Sequence, residues 1–190
     1  YGVVAGEPEI DWQRMQERKA QNVDQLVNGT RMLLERAGVN VIKGEASFAR
    51  ANVLRVQSDE GEETVEADNI IIATGSRPLC IPISGLDDPR VVDSKGALSL
   101  TPLPESICII GGGAIGIEFA SLFNTLEVDV TLVEMLPHLA PLMDASIGEG
   151  LAWTFGQKGI DVLTDTRVTS LENTDAGLLV HMEGPDGEEQ

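Results

Sequence analysis

The 190-residue sequence predicts an α/β fold with a mainly parallel sheet, on three observations. Segments with a three- and four-residue apolar period alternate with short β-branched runs, as expected of strands joined by crossover helices. One such run, Ile107 to Ile110, enters Gly111-x-Gly113-x-x-Gly116, continues as a helical pattern and is followed by a second run, Val128 to Val133. Two pairs of segments flanking Ser58–Gly61 and Asn173–Gly177 read as antiparallel hairpins added to that frame. No short-period repeat or low-complexity tract interrupts it.

Taken in order, Asp11 caps a helix predicted over Trp12 to Ala37. Val23, Leu26, Val27, Thr30, Leu33, Leu34 and Ala37 fall on one face of it, and Gly38 closes it. Gly29 inside this helix reads either as a propensity cost of roughly 1 kcal/mol or as a close packing contact. Val39 to Ile42 is a short strand, and Lys43 to Phe48 leads out of it. Ala51 to Gln57 and Glu63 to Ala67 form the first hairpin, followed by a buried strand over Asn69 to Ala73 that Thr74-Gly75-Ser76-Arg77-Pro78 interrupts. From Leu79 to Pro104 the composition turns to proline, glycine and short turns, which marks a domain junction. Ser94 is placed as the cap of a helical turn through Leu98.

After the glycine turn, a helix over Ile115 to Leu126 and the strand Val128 to Val133 lead into a loop, Met135 to Met143. Asp144 caps a helix over Ala145 to Lys158 whose buried stripe is Ile147, Leu151 and Phe155, and Gly159 ends it. Ile160 to Leu163 is another strand, and Arg167 to Glu172 with Leu178 to Glu183 makes the second hairpin.

The strand–turn–helix–strand frame gives each glycine a task. Gly111 makes the tight turn, Gly113 lets a pyrophosphate approach the backbone, and Gly116 lets the helix pack close on the strand. The backbone N–H groups from Gly111 through Gly112, Gly113, Ala114 and Ile115, with the positive end of the helix dipole, attract phosphate. Glu134 lies 18 residues past Gly116, close to the roughly 20 expected of the acid that accepts from an adenosine ribose. A carboxylate there binds a ribose diol and repels a 2′-phosphate. Met135, Leu136 and Pro137 bring no arginine to hold one, so NAD(H) is expected over NADP(H).

The chain carries 13 basic against 31 acidic residues, a formal charge of −18. That balance excludes nucleic acid and anionic membrane surfaces as partners and suits solubility in a salty setting. The apolar stretch Ile107 to Leu126 contains Glu118 and several glycines, so no transmembrane segment is predicted. Cys80 and Cys108 form no C-x-x-C pair and are expected to be structural, with neither a disulfide nor a metal site. A cytoplasmic, reducing location is the expectation from these cysteines and from the lack of a leader pattern. The start on Tyr1 and the acidic, turn-like run Gly184 to Gln190 read as the ends of an internal fragment.

Several linked stretches resemble the flavin-dependent pyridine nucleotide–disulfide oxidoreductases, and among them the dihydrolipoamide dehydrogenases. They are Ile70 to Pro78, Asp93 to Leu100, Ile109 to Glu118 and Val130 to Pro137. The resemblance implies a Rossmann-like, C-terminally truncated NAD-binding domain over residues 81–190, inserted into or following a truncated FAD-binding domain over residues 1–80. It places Ala46 by the adenine of FAD and Thr74, Gly75 and Ser76 by the flavin nucleotide where its domain hands over to the next. It places Val168 beside the NAD adenine, and Glu118 near the nicotinamide and the flavin. On residue type alone Glu118 reads equally well as an exposed acid in the first turn of a helix. The implied reaction oxidises a dithiol, free or on a lipoyl domain, and passes hydride through FAD to NAD⁺ in a homodimeric parent enzyme.

The Cys-x-x-x-x-Cys redox pair and the His-Glu acid–base pair of that family have no counterpart in this sequence. His138 and His181 match neither, so no catalytic residue is assigned here. The isolated chain is expected to turn over nothing and to retain FAD poorly. Mercuric reductase and soluble transhydrogenase relatives remain alternatives, as does a non-catalytic NAD-binding module if the chain is complete; Glu134 argues against the NADP-using glutathione reductases.

Overall fold

The computed structural model describes residues 9–79 and 81–185. Cys80 and residues 186–190, which hold most of the acidic run, lie outside them. The chain divides into two compact units, one running from Met15 to Arg77 and the other taking the rest.

The larger unit is built on a parallel sheet of β4 (Ser106–Ile110), β5 (Asp129–Val133) and β6 (Asp161–Leu163), in the order β4-β5-β6. Helix α3 (Ala114–Thr125) crosses from β4 to β5 and α4 (Ala145–Gln157) from β5 to β6. The central strand β5 is paired on both sides, so its apolar residues leave water almost completely; Leu132 is 0% exposed. Val130 and Leu132 alternate onto the face that receives Phe123 from α3 and Phe155 from α4, with Ala120, Leu126, Val128, Leu139 and Ile160 completing the core. Burying each large side chain of this set contributes about 1.5–3 kcal/mol. Trp12, in the first turn of α1 (Trp12–Arg36), donates its indole N–H to the Leu100 carbonyl at 2.9 Å and packs against the same core.

A second sheet in this unit is the hairpin β7 (Arg167–Thr174) and β8 (Gly177–Glu183), whose turn is shorter than the sequence suggested because pairing continues to Thr174 and Gly177. The segment before α2 (Ser94–Ala97) docks on it. Ser84 bridges to Ser170, the Leu171 N–H donates to the Ser84 carbonyl at 2.8 Å, and Asn173 Nδ2 donates to Asp88 at 3.0 Å. The α2 cap is Asp93, which accepts from the Gly96 N–H, in place of the predicted Ser94. An aspartate one residue earlier reaches the free amide with the extended backbone a cap needs.

α1 starts under the predicted cap, Asp11 accepting from the Arg14 N–H, and from Met15 on it belongs to the smaller unit. Strands β1 (Glu45–Arg50), β2 (Val53–Ser58) and β3 (Gly61–Glu66) form an antiparallel sheet in that order. The apolar stripe of α1 forms but is not buried, with Leu26 72% exposed. Gly29 meets no packing contact, which leaves its propensity cost as the reading that holds. Two expected strands do not form. Val39 to Ile42 is not a strand, and neither is Asn69 to Ala73, where Ile71 is 90% exposed. A parallel strand exists only by pairing, and the described residues offer these apolar runs no partner strand. In α4 of the larger unit, Phe155 is buried, but Ile147 of the predicted stripe is half exposed.

Helices α1, α3 and α4 end alike. The third residue past the end donates to the third-last helical carbonyl: Val39 to Leu34, Val128 to Phe123 and Ile160 to Phe155. The residue just before that donor takes a left-handed backbone. Gly38 and Gly159 do so freely, but in α3 the residue is Glu127, with φ of 63°. Left-handed backbone costs a non-glycine residue about 1–2 kcal/mol, so Glu127→Gly is expected to stabilise the protein by about 1 kcal/mol after its larger unfolded-state entropy is counted. Urea unfolding midpoints measure this.

Asp88 accepts from the Arg90 N–H at 2.9 Å and pairs with its guanidinium at 3.0 Å, which together lower its carboxyl from the ordinary 3.8 to about 2. A depressed folded pKa contributes stability above the unfolded value that is lost as pH falls. The stability difference between wild type and Asp88→Asn should therefore be constant above pH 4 and close between 3.8 and about 2. Urea titrations of both proteins across that range test it.

Candidate dinucleotide-binding site

β4 ends at Ile110, and the chain turns at Gly111 with φ of 112°, a conformation that favours glycine. The Gly111 N–H donates to the Val133 carbonyl at 2.8 Å and so closes the last rung between β4 and β5. Gly112 is buried. Its N–H donates to Glu134 Oε2 at 2.7 Å, and its carbonyl accepts from the Ala140 N–H at 2.8 Å. A Cβ on residue 112 would stand 2.6 Å from Leu139 Cδ2 and 3.0 Å from Glu134 Cβ, so a larger residue there would have to displace the Leu139 side chain.

Gly113 faces open space and caps α3 in extended conformation, with no side chain to accept from the first-turn amides. Ala114 and Ile115, the next two residues, are exposed. Those amides are the orphan donors of a helix start, and the macrodipole adds positive potential to them. Gly116 is buried where a Cβ would be driven into the Gly111 carbonyl oxygen. The turn thus sets the open Gly113 between the closed Gly112 and Gly116.

Glu134 follows β5 and is 6% exposed. Its Oε1 accepts from the Leu136 N–H at 2.8 Å while Oε2 holds Gly112. Its own N–H donates to the Leu163 carbonyl at 2.8 Å, and its carbonyl accepts from the Thr166 N–H at 3.1 Å. An ionised carboxylate has about four acceptor positions, so each oxygen keeps one for a hydroxyl partner. Open donors at Gly113 and α3, with an acceptor at the end of the neighbouring strand, suit a phosphate joined to a sugar.

The other predicted residues divide between the units. Val168 is buried in β7, two residues past the Thr166 that bonds Glu134. Glu118 is exposed, and it sits in the second turn of α3, not the first, because Gly113 is the cap. Ala46 (exposed, in β1) and Thr74, Gly75 and Ser76 (exposed, without regular structure) belong to the Met15–Arg77 unit. Cys108 is partly buried in β4, and burial pushes its thiol up from the usual range, away from nucleophilic use. His138 contacts the Leu139 carbonyl at 3.0 Å, and His181 pairs with Glu172 at 3.1 Å. Among the described residues no three His, Cys, Asp or Glu side chains gather to hold a metal ion, and no helix is long and apolar enough to cross a membrane.

Sequence reasoning missed Leu139 and Ala140, because an apolar loop residue has no periodicity to mark it. The one trace was a glycine inside α4, Gly148, where a Cβ would be driven into the Leu139 carbonyl oxygen.

The family model for pyridine nucleotide-disulphide oxidoreductases matches residues 4–190. The chain belongs to that family. It is 39% identical over 170 residues to the dihydrolipoyl dehydrogenase of Bacillus subtilis, covering 90% of this chain and 37% of that protein. It is also 39% identical over 189 residues to the dihydrolipoyl dehydrogenase of Halobacterium salinarum, covering 98% and 40%. Among solved structures it resembles the HOCl-induced flavoprotein disulfide reductase RclA from Escherichia coli, with a TM-score of 0.82 at 32% identity over 92% of this chain and 40% of that one. The chain therefore spans about 40% of the length of these oxidoreductases.

The closeness of Gly116 to Gly111 makes the turn intolerant of volume. Gly116→Ala is expected to destabilise the larger unit by about 1–3 kcal/mol through overpacking, measured as a lowered urea midpoint. An alanine that left the midpoint unchanged would mean that α3 can slide off the turn.

Proposed function

We propose that this chain is the NAD-binding segment, with part of the FAD-binding segment, of a dihydrolipoyl dehydrogenase-like flavoenzyme. The observation that carries this reading is the Glu134 carboxylate, held on the Gly112 amide beside an open Gly113. The amides of Gly113, Ala114 and Ile115 bind the diphosphate of NAD(H), and Gly116 seats α3 so that its positive end faces it. Glu134 accepts from the adenosine ribose and opposes a 2′-phosphate. Val168 borders the adenine, and Glu118 lies toward the nicotinamide. The nicotinamide, when bound, supplies the hydride-accepting chemistry.

The family relationship supports FAD as the electron donor to NAD⁺ and a dithiol, small or lipoyl-borne, as the reductant. It also supports a homodimeric parent. Thr74 to Ser76 lie on an exposed segment that has no strand pairing, so the residues assigned to FAD, with Ala46, form no cradle among themselves.

Glu134→Gln in the full-length protein removes the charge while keeping the side-chain size. Its one oxygen can accept from Gly112 or Leu136 but not both, and the repulsion of a 2′-phosphate is removed. NADH affinity should fall about tenfold, as expected on losing a hydrogen bond to a charged group, and the NADH/NADPH preference should narrow. Calorimetric titration with both nucleotides measures this, and an unchanged preference would sink the assignment.

A further inference from the structure

We propose that Leu139 is a positioning residue for the dinucleotide turn, acting as a prop that holds the Gly112 peptide on Glu134. The inference rests on the reading of this turn as the NAD(H) site. Leu139 is 0% exposed although it lies in the loop between β5 and α4, where burial is not dictated by any regular element. Its side chain fills the volume against Gly112, with Cδ2 2.6 Å from the place a Cβ would occupy. The next residue, Ala140, donates its N–H to the Gly112 carbonyl at 2.8 Å, from a left-handed backbone with φ of 49°. The Gly112 peptide is thus gripped on both polar atoms and on its apolar side.

The loop has its own backing. Gly148 of α4 brings that helix against the Leu139 backbone, and a methyl group there would press on the Leu139 carbonyl and come 3.0 Å from His138 Cβ. A contact line therefore runs from α4 through Leu139 to Gly112 and on to Glu134. Leu139 touches neither phosphate nor ribose in this arrangement. It acts by keeping the amide of Gly112 engaged, so that the amides from Gly113 to Ile115 stay turned outward as donors.

Two variants of the full-length protein approach this line from opposite ends. Leu139→Ala removes the prop, and Gly148→Ala pushes on it without deleting apolar volume. Each should raise the dissociation constant for NADH about tenfold while leaving kcat at saturating NAD⁺ within about twofold, a change of the order caused by small misplacement of a binding group. Leu139→Met, which keeps volume and apolarity, should restore binding to within about threefold. Val128→Ala, a core truncation outside the turn, controls for loss of stability alone and should leave NADH affinity unchanged.

Hydrogen exchange of the Gly112 amide, measured without nucleotide, gives an independent readout and should quicken in Leu139→Ala but not in Leu139→Met. Unchanged exchange at Gly112, or equal affinity losses in Leu139→Ala and Val128→Ala, would overturn the proposal. If the wild-type protein ignores NADH while Leu139→Ala still frees the Gly112 amide, the nucleotide reading falls and the prop stands.

Discussion

The hydrogen bond from the Gly112 amide to the Glu134 carboxylate joins the ends of two adjacent parallel strands. β4 ends in a turn and β5 ends in an acid, and this contact brings the two termini to one place. A buried carboxylate without partners would be costly. Here each oxygen has a backbone donor, Gly112 on one and Leu136 on the other. The acid that selects the sugar in the proposed function is thereby also a strut of the turn that holds the phosphates. Among the described residues no buried side-chain polar atom is left without a partner.

That strut works only because α3 and α4 hold fixed positions on the sheet. α3 sits so close to the turn that Gly116 touches the Gly111 carbonyl, and α4 sits so close to the following loop that Gly148 touches Leu139. Both helices anchor one aromatic ring in the core, Phe123 and Phe155, against Val130 and Leu132 of the central strand. Each helix stops in the same hydrogen-bond pattern, which delivers the chain directly into the next strand at Val128 or Ile160. Apolar burial sets the distance between layers, and the glycines allow that distance to be short where backbone meets backbone. The site is therefore a consequence of layer spacing as much as of the residues that would touch a ligand.

The unit from Met15 to Arg77 shows what secondary structure amounts to without such spacing. From Met15 on, α1 is held by local signals, with a left-handed glycine at its end, and its apolar stripe stays in contact with water. The antiparallel hairpins form because a short turn brings their partners together. The two runs that needed a distant neighbour, Val39 to Ile42 and Asn69 to Ala73, have no regular structure. The residues that the family resemblance assigns to FAD lie in this unit, and Thr74 to Ser76 follow directly on the unpaired run.

The sequence by itself determined whatever depends on neighbours a few residues apart. It specified α1, α3 and α4 by their apolar periods and ends, the hairpins by their short turns, and the strand–glycine–helix order that points to a dinucleotide. Glu134 was legible as well, because its distance from Gly116 follows from the lengths of one helix and one strand. Only the tertiary structure decided that the same carboxylate holds the Gly112 amide and that Leu139 fills the space beneath the turn. These depend on distances between layers and on loop paths, and no periodicity encodes them, since a buried loop leucine reads the same as an exposed one until the elements around it have packed.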